Sequence, residues 1–152
     1  MDGFDITANR MLSKLYDYTG KYVTGAPVYW LTGHSRGAAI INIMGAKLVD
    51  AGSEVFAYGF ATPNTTINTE AGADRYDCIF SLVNDDDFVP RVPMTLWNFK
   101  KYGKTAVVDM TGAMENEWHD LTGRKVYNQM SESNMDKLVG SLAVASDGWS
   151  DC

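Results

Sequence analysis

Between a short β-prone run, Val28-Tyr29-Trp30-Leu31, and a long apolar run rich in small residues, Ile40 to Val49, stands Thr32-Gly33-His34-Ser35-Arg36-Gly37-Ala38-Ala39. Within it Gly33-x-Ser35-x-Gly37 has the form of a nucleophile elbow: the chain leaves a strand, turns sharply and enters a helix, with the serine hydroxyl held at the top of a sheet. No other feature constrains the fold as much, because strand, turn and helix must all be present around it. Both glycines are expected to be needed, since a Cβ at either position should clash with the neighbouring strand or helix. The backbone N–H groups that open the helix, starting with Arg36, lack intrahelical partners and would point at an oxyanion formed beside Ser35. The alternative is a glycine-rich strand-to-helix turn whose serine does no more than cap the helix.

The rest of the chain supplies the setting the elbow needs. Phe4, Ala8, Met11, Leu12, Leu15 and Tyr18 recur near the 3.6-residue period, which predicts an amphipathic helix over 4–18 with Gly20 as its stop. The unbroken apolar run 28–31 reads as a central strand covered on both faces. Residues 36–51 read as a helix closed by Gly52, with Gly37, Ala38 and Ala39 small enough to lie close on the sheet. Further strands are expected at 54–61, 78–83 and 104–110, a turn of helix at 95–100 between Pro93 and the last strand, and a final helix over 131–144. Strands alternating with helices predict an α/β fold, a mostly parallel sheet with flanking helices.

A chain of 152 residues suits one domain, here 1–152, and its 45% hydrophobic and 21% charged residues are those of an ordinary globular protein. The net charge of −6 and the absence of a basic stripe argue against nucleic acid or an anionic membrane surface as the main partner. Cys78 and Cys152 form no disulfide framework by spacing, and no ligand spacing suggests zinc, so neither metal nor organic cofactor is expected. The apolar stretches fall short of a membrane span. The opening Met-Asp-Gly-Phe-Asp is no signal peptide, which leaves the compartment open if the natural N-terminus lies elsewhere.

A serine hydroxyl needs a base within reach and a third group to orient that base. The chain has two histidines. His34 adjoins the serine and should point away from its hydroxyl, which leaves His119, in a loop after the last strand. For the acid, Asp85, Asp86 and Asp87 all stand at the carboxyl end of an expected strand, where functional groups of open parallel sheets gather, and position alone does not choose among them. A solvated acidic turn is the plain alternative, and a calcium site a weaker one that no ligand spacing supports.

These residues resemble a known family. Gly33-His34-Ser35-Arg36-Gly37-Ala38-Ala39 is similar to the Gly-His-Ser-Leu-Gly-Gly-Ala elbow of the class 3 lipases, the fungal triacylglycerol lipase-like branch of the α/β-hydrolases. Tyr58-Gly59-Phe60-Ala61-Thr62-Pro63 resembles their Tyr-Thr-Phe-Gly-Ser-Pro strand end, and the run from Val83 to Pro93 their Val-Asn-x-x-Asp-x-Val-Pro-Arg-Leu-Pro. Gly3-Phe4 resembles the Gly-Phe that opens the corresponding family helix. In the acid segment the family's triad aspartate immediately precedes x-Val-Pro, so the resemblance singles out Asp87. Two departures stand out. Arg36 replaces a leucine beside the acyl pocket, and the family carries further strands, a second oxyanion donor and a lid ahead of this helix. The resemblance therefore implies an α/β-hydrolase-like domain truncated at its N-terminus.

The resulting expectation is a carboxylic ester hydrolase acting on acyl-glycerol or similar lipid esters, with Ser35, His119 and Asp87 as triad and the Arg36 amide as oxyanion donor. A degenerate hydrolase fold serving as an interaction module, and a serine peptidase or acyltransferase, are the alternatives, because an elbow and triad fix reaction type and not substrate. The eight methionines and the aromatics Trp97, Phe99 and Tyr102 read first as core packing and second as a surface for transient lipid contact. A truncated sheet should leave a strand edge uncovered, so self-association is also expected.

Overall fold

The computed structural model describes residues 2–85 and 87–108. The chain divides into two units, residues 1–84 with 89–109 and residues 85–88 with 110–152. The first unit is an α/β sheet. Helix α1 (Asp2–Tyr22) leads into strand β1 (Val28–His34), helix α2 (Arg36–Asp50), and strands β2 (Glu54–Phe60), β3 (Ile79–Asn84) and β4 (Lys104–Val108). All neighbouring strands are parallel, in the order β1-β2-β3-β4. The expected final helix over 131–144 lies outside the described residues.

Because successive strands are laid down in one direction, with no reversal of order, the β1–α2–β2 crossover puts its helix on one face of the sheet. α2 packs on β1, β2 and β3, and α1 packs on α2. The core is Ala8 and Leu12 from α1, Ile40, Ile41, Ile43, Met44 and Leu48 from α2, and Tyr29, Val55, Ala57 and Ile79 from the strands. The buried stripe of α1 is narrower than the sequence suggests, since Met11 and Tyr18 are exposed. Nor does Gly20 stop the helix, which continues to Tyr22; the positive φ of 89° falls at Gly25. Helical hydrogen bonding simply tolerates a glycine near its end, at a cost of about 1 kcal/mol.

The sequence reading of β1 as a central, doubly covered strand is corrected. Among the described residues β1 is an edge strand, and it alternates: Tyr29 is buried while Trp30, its neighbour, is 72% exposed. A continuous apolar run cannot by itself distinguish burial on two faces from an apolar outer face. On that outer face the register sets Trp30 opposite Phe56 and Tyr58 opposite Phe80. The rings form a ladder, with centroids 5.3 Å apart for Trp30–Phe56, 5.9 Å for Trp30–Tyr58 and 5.4 Å for the stacked Tyr58–Phe80 pair. Trp97 is likewise exposed, against the expectation of core packing, whereas Met44 and Met94 are buried.

What brings α2 close to the sheet is a row of small residues across three strands. Gly33 pairs with Gly59, and Gly59 with Ser81, all on the face that α2 covers. A Cβ at Gly59 would lie 3.2 Å from that of Ala38 and in conflict with the Thr62 hydroxyl. Further along the helix, Gly45 rests on Ala57 and Ile79 in the same way.

Asn42, which sequence patterning treats only as an interruption of an apolar run, is 1% exposed. Its Nδ2 donates to the Tyr102 carbonyl at 2.9 Å, while its Oδ1 accepts from the Tyr102 amide at 3.0 Å and the Thr65 hydroxyl at 2.7 Å. A single helical side chain thus joins the loop after β2 to the segment before β4, with each buried polar partner satisfied.

Candidate active site

Ser35 is the single residue between the end of β1 and the start of α2. Its backbone is at φ 52° and ψ −119°, a conformation at positive φ that a non-glycine residue adopts only under constraint, at a cost of roughly 1–3 kcal/mol. Two hydrogen bonds supply that constraint. The Ser35 amide donates to the Phe60 carbonyl at the end of β2, 2.8 Å away, and the Ser35 carbonyl accepts from the Ala39 amide at 3.0 Å, the first turn of α2. The side chain makes no capping hydrogen bond. Its hydroxyl is therefore not consumed by the helix terminus, and the reading of Ser35 as a helix cap is set aside.

The two elbow glycines differ in what they do. A Cβ on Gly33 would lie 2.6 Å from the Gly37 carbonyl carbon, 2.7 Å from its oxygen and 2.9 Å from the Ala38 amide nitrogen, all backbone atoms. A Cβ on Gly37 would meet no heavy atom within 4 Å, so the expectation that both glycines are sterically required holds only for Gly33. The close approach is made by β1 to the first turn of α2, and one bare Cα suffices for it.

His34 ends β1 and is exposed, on the strand face it shares with Trp30 and Thr32 and opposite to that of Gly33. Arg36 opens α2 and is exposed, and no acidic residue stands in the first turn of the helix. Together with Gly3, Phe4 and Thr7 of α1 it lines a cleft of about 330 Å³. The amide of Arg36, as the first in the helix, has no acceptor four residues back.

Asp85 and Asp87 follow β3, Asp85 exposed and Asp87 half-buried; both have interaction partners. They belong to the second unit, and Asp86 and His119 lie outside the described residues. Ser35, Arg36 and the elbow glycines are thus assembled together in the first unit, while the candidate acid falls in the second.

Two further residues organise the carboxyl ends of the strands, and sequence reasoning passed over both. Lys101 Nζ donates to the Thr62 carbonyl at 2.9 Å and the Pro90 carbonyl at 2.7 Å. Burial pushes its ammonium down to about 8 from an ordinary 10.5. Asn64, 3% exposed, donates its amide to the Val92 carbonyl at 2.9 Å and its Nδ2 to the Pro93 carbonyl at 2.8 Å. The sequence signal for Lys101 was its place shortly after the Pro90–Pro93 run, and for Asn64 its place after Pro63 at the end of β2.

Comparison with known proteins agrees with this geometry. No curated protein sequence matches the chain. Among solved structures, lipase II from Rhizopus niveus is similar with a TM-score of 0.58 and 19% identity, over 70% of this chain and 43% of that one. The Rhizomucor miehei triacylglyceride lipase gives 0.55 and 21%, over 76% and 44%. A triacylglycerol lipase described as having a serine protease triad as its catalytic centre gives 0.53 and 19%, over 72% and 43%. At such identities the likeness is one of fold, and the chain spans less than half the length of these structures. The family profile Lipase (class 3) matches residues 2–97, which contain α1, the elbow, β2, β3 and the acid segment. On that match, over more than half its length, the chain belongs to the class 3 lipase family.

Proposed function

We propose that this chain carries the nucleophile, acid and base of a serine hydrolase acting on carboxylic esters of the acyl-glycerol type. Ser35 attacks the ester carbonyl carbon while His119 takes the hydroxyl proton, and Asp87 holds the imidazole in the tautomer that allows it. The Arg36 amide donates to the oxyanion of the tetrahedral intermediate. Collapse of that intermediate breaks the bond to the alcohol oxygen, which leaves with the proton from His119. Water, deprotonated by the same histidine, then releases the acyl group from Ser35.

The observation that carries this reading is the conformation of Ser35. A serine held at positive φ between strand and helix, with a hydroxyl that caps nothing, costs stability without a structural return. Family membership and the triad named for one of the similar lipases support the choice of partners. The test is intact-mass analysis after treatment with a fluorophosphonate probe. Stoichiometric labelling that disappears in Ser35→Ala and His119→Ala is the expected result; no labelling of the folded wild type refutes it.

A second reading, an interaction module built on a hydrolase fold, is favoured by one observation: the aromatic ladder of Trp30, Phe56, Tyr58 and Phe80 on the outer face beside the β1 edge, with Trp30 its most exposed member. Self-association through that edge is its simplest form, and sedimentation as a monomer at all concentrations would count against it.

A further inference from the structure

We infer that Lys101 is a positioning residue for Ser35, its ammonium tying the loop that follows β2 to the 90–93 segment. The inference rests on the reading of Ser35 as nucleophile. Thr62, one acceptor of Lys101, lies two residues beyond Phe60, the residue whose carbonyl fixes the Ser35 amide. Pro90, the other acceptor, lies three residues beyond Asp87. The ammonium therefore stands between the backbone that holds Ser35 and the 90–93 backbone.

Both acceptors are buried residues whose carbonyls need a donor, and an ammonium can donate in two directions at once. Asn64 repeats the link one step along, binding Val92 and Pro93. Four hydrogen bonds from two side chains and one amide thus close the 62–64 segment on the 90–93 segment. The charge is held at a cost, as the lowering of its ammonium to about 8 indicates, so simple packing would be better served by methionine. What the lysine adds is fixed distance between two loops, which matters where reacting groups must be held to within a fraction of an ångström.

The experiment compares wild type, Lys101→Met and Lys101→Arg in the full chain by two readouts. One is the rate of fluorophosphonate labelling; the other is amide hydrogen exchange. In Lys101→Met the labelling rate is expected to fall by about 10- to 100-fold. The Asn64 amide should exchange at least about ten times faster, while α2 amides keep their protection. Lys101→Arg, which restores two-directional donation, should recover a substantial part of the rate. Wild-type labelling and wild-type Asn64 exchange in Lys101→Met would overturn the inference. So would loss of protection throughout α2 and the sheet in Lys101→Met and in a Lys101→Gln control, since the lysine would then hold the fold and not the loops. Absence of labelling in wild type refutes the hydrolase reading alone; the exchange of Asn64, which needs no activity, still decides whether Lys101 ties the loops.

Discussion

Replacing Gly33 by alanine places a methyl group against the backbone of α2. The nearest atom, the Gly37 carbonyl carbon, would be 2.6 Å away, with two more backbone atoms at 2.7 and 2.9 Å. Reaching an ordinary contact of about 3.4 Å requires the start of α2 to withdraw by roughly 0.8 Å, since no flexible side chain is available to yield. Overpacking of this kind typically costs about 1–3 kcal/mol, and a backbone obstacle belongs at the upper end. At about 3 kcal/mol, a chain of this size should melt roughly 6–12 °C lower. The same displacement moves Ser35, which bridges the two elements, away from the Phe60 carbonyl; a shift near 1 Å in a reacting group costs about 100-fold in rate. Urea denaturation and fluorophosphonate labelling measure the two effects separately. Gly37→Ala is the internal comparison. With open space around it and a helical backbone, it should be neutral or stabilising by up to about 1 kcal/mol. A Gly33→Ala protein within about 0.5 kcal/mol of wild type, or one no less stable than Gly37→Ala, would refute the argument from close approach.

Other perturbations test the remaining links. Asn42→Leu leaves the Tyr102 amide and carbonyl and the Thr65 hydroxyl without their partner, and should cost about 2–4 kcal/mol in chemical denaturation; a loss below about 0.5 kcal/mol would mean those groups are satisfied otherwise. Lys101 is charged in both folded and unfolded states below pH 8, so its burial penalty is fully present there. Between about 8 and 10.5 the folded protein releases the proton first, so the stability of wild type minus that of Lys101→Met should rise with pH. Allowing for solvent screening of a partly buried group, the rise is about 1–2 kcal/mol; a flat or falling difference contradicts it. Arg36→Leu replaces a guanidinium in the cleft beside the elbow with an apolar side chain, and should shift the ratio of kcat/KM for long- over short-chain esters upward by about 10-fold; an unchanged ratio would place the acyl chain elsewhere.

The elbow was legible because everything that makes it is local. Strand, glycine, serine and helix occupy residues 28–50 without a break, and each is dictated by neighbouring side chains: β-prone residues before, small and apolar helix formers after. The existence of every described strand followed from the same local patterning, though β1 ran on to His34 and α1 to Tyr22 because hydrogen bonding extends elements past the residues that signal them. Resemblance selected Asp87 among three adjacent aspartates, a choice that period and composition had no means of making. His119 rests on order along the chain alone.

What the sequence determined by itself is the turn at Ser35: a strand that turns sharply into a helix at a serine set between two glycines. Tertiary structure alone decided that β1 lies at an edge of the described sheet with an aromatic outer face, and that Gly33 and not Gly37 is the glycine the elbow cannot lose. It also decided that Asn42 and Lys101 are ties between loops, binding partners 60 and 39 residues away in the chain. The physical reason is the range of the interactions. Backbone preference and hydrophobic period act over a few residues and leave a pattern in the sequence. A buried donor that meets a carbonyl across the sheet leaves none, because its partner is chosen by packing after the strands have paired.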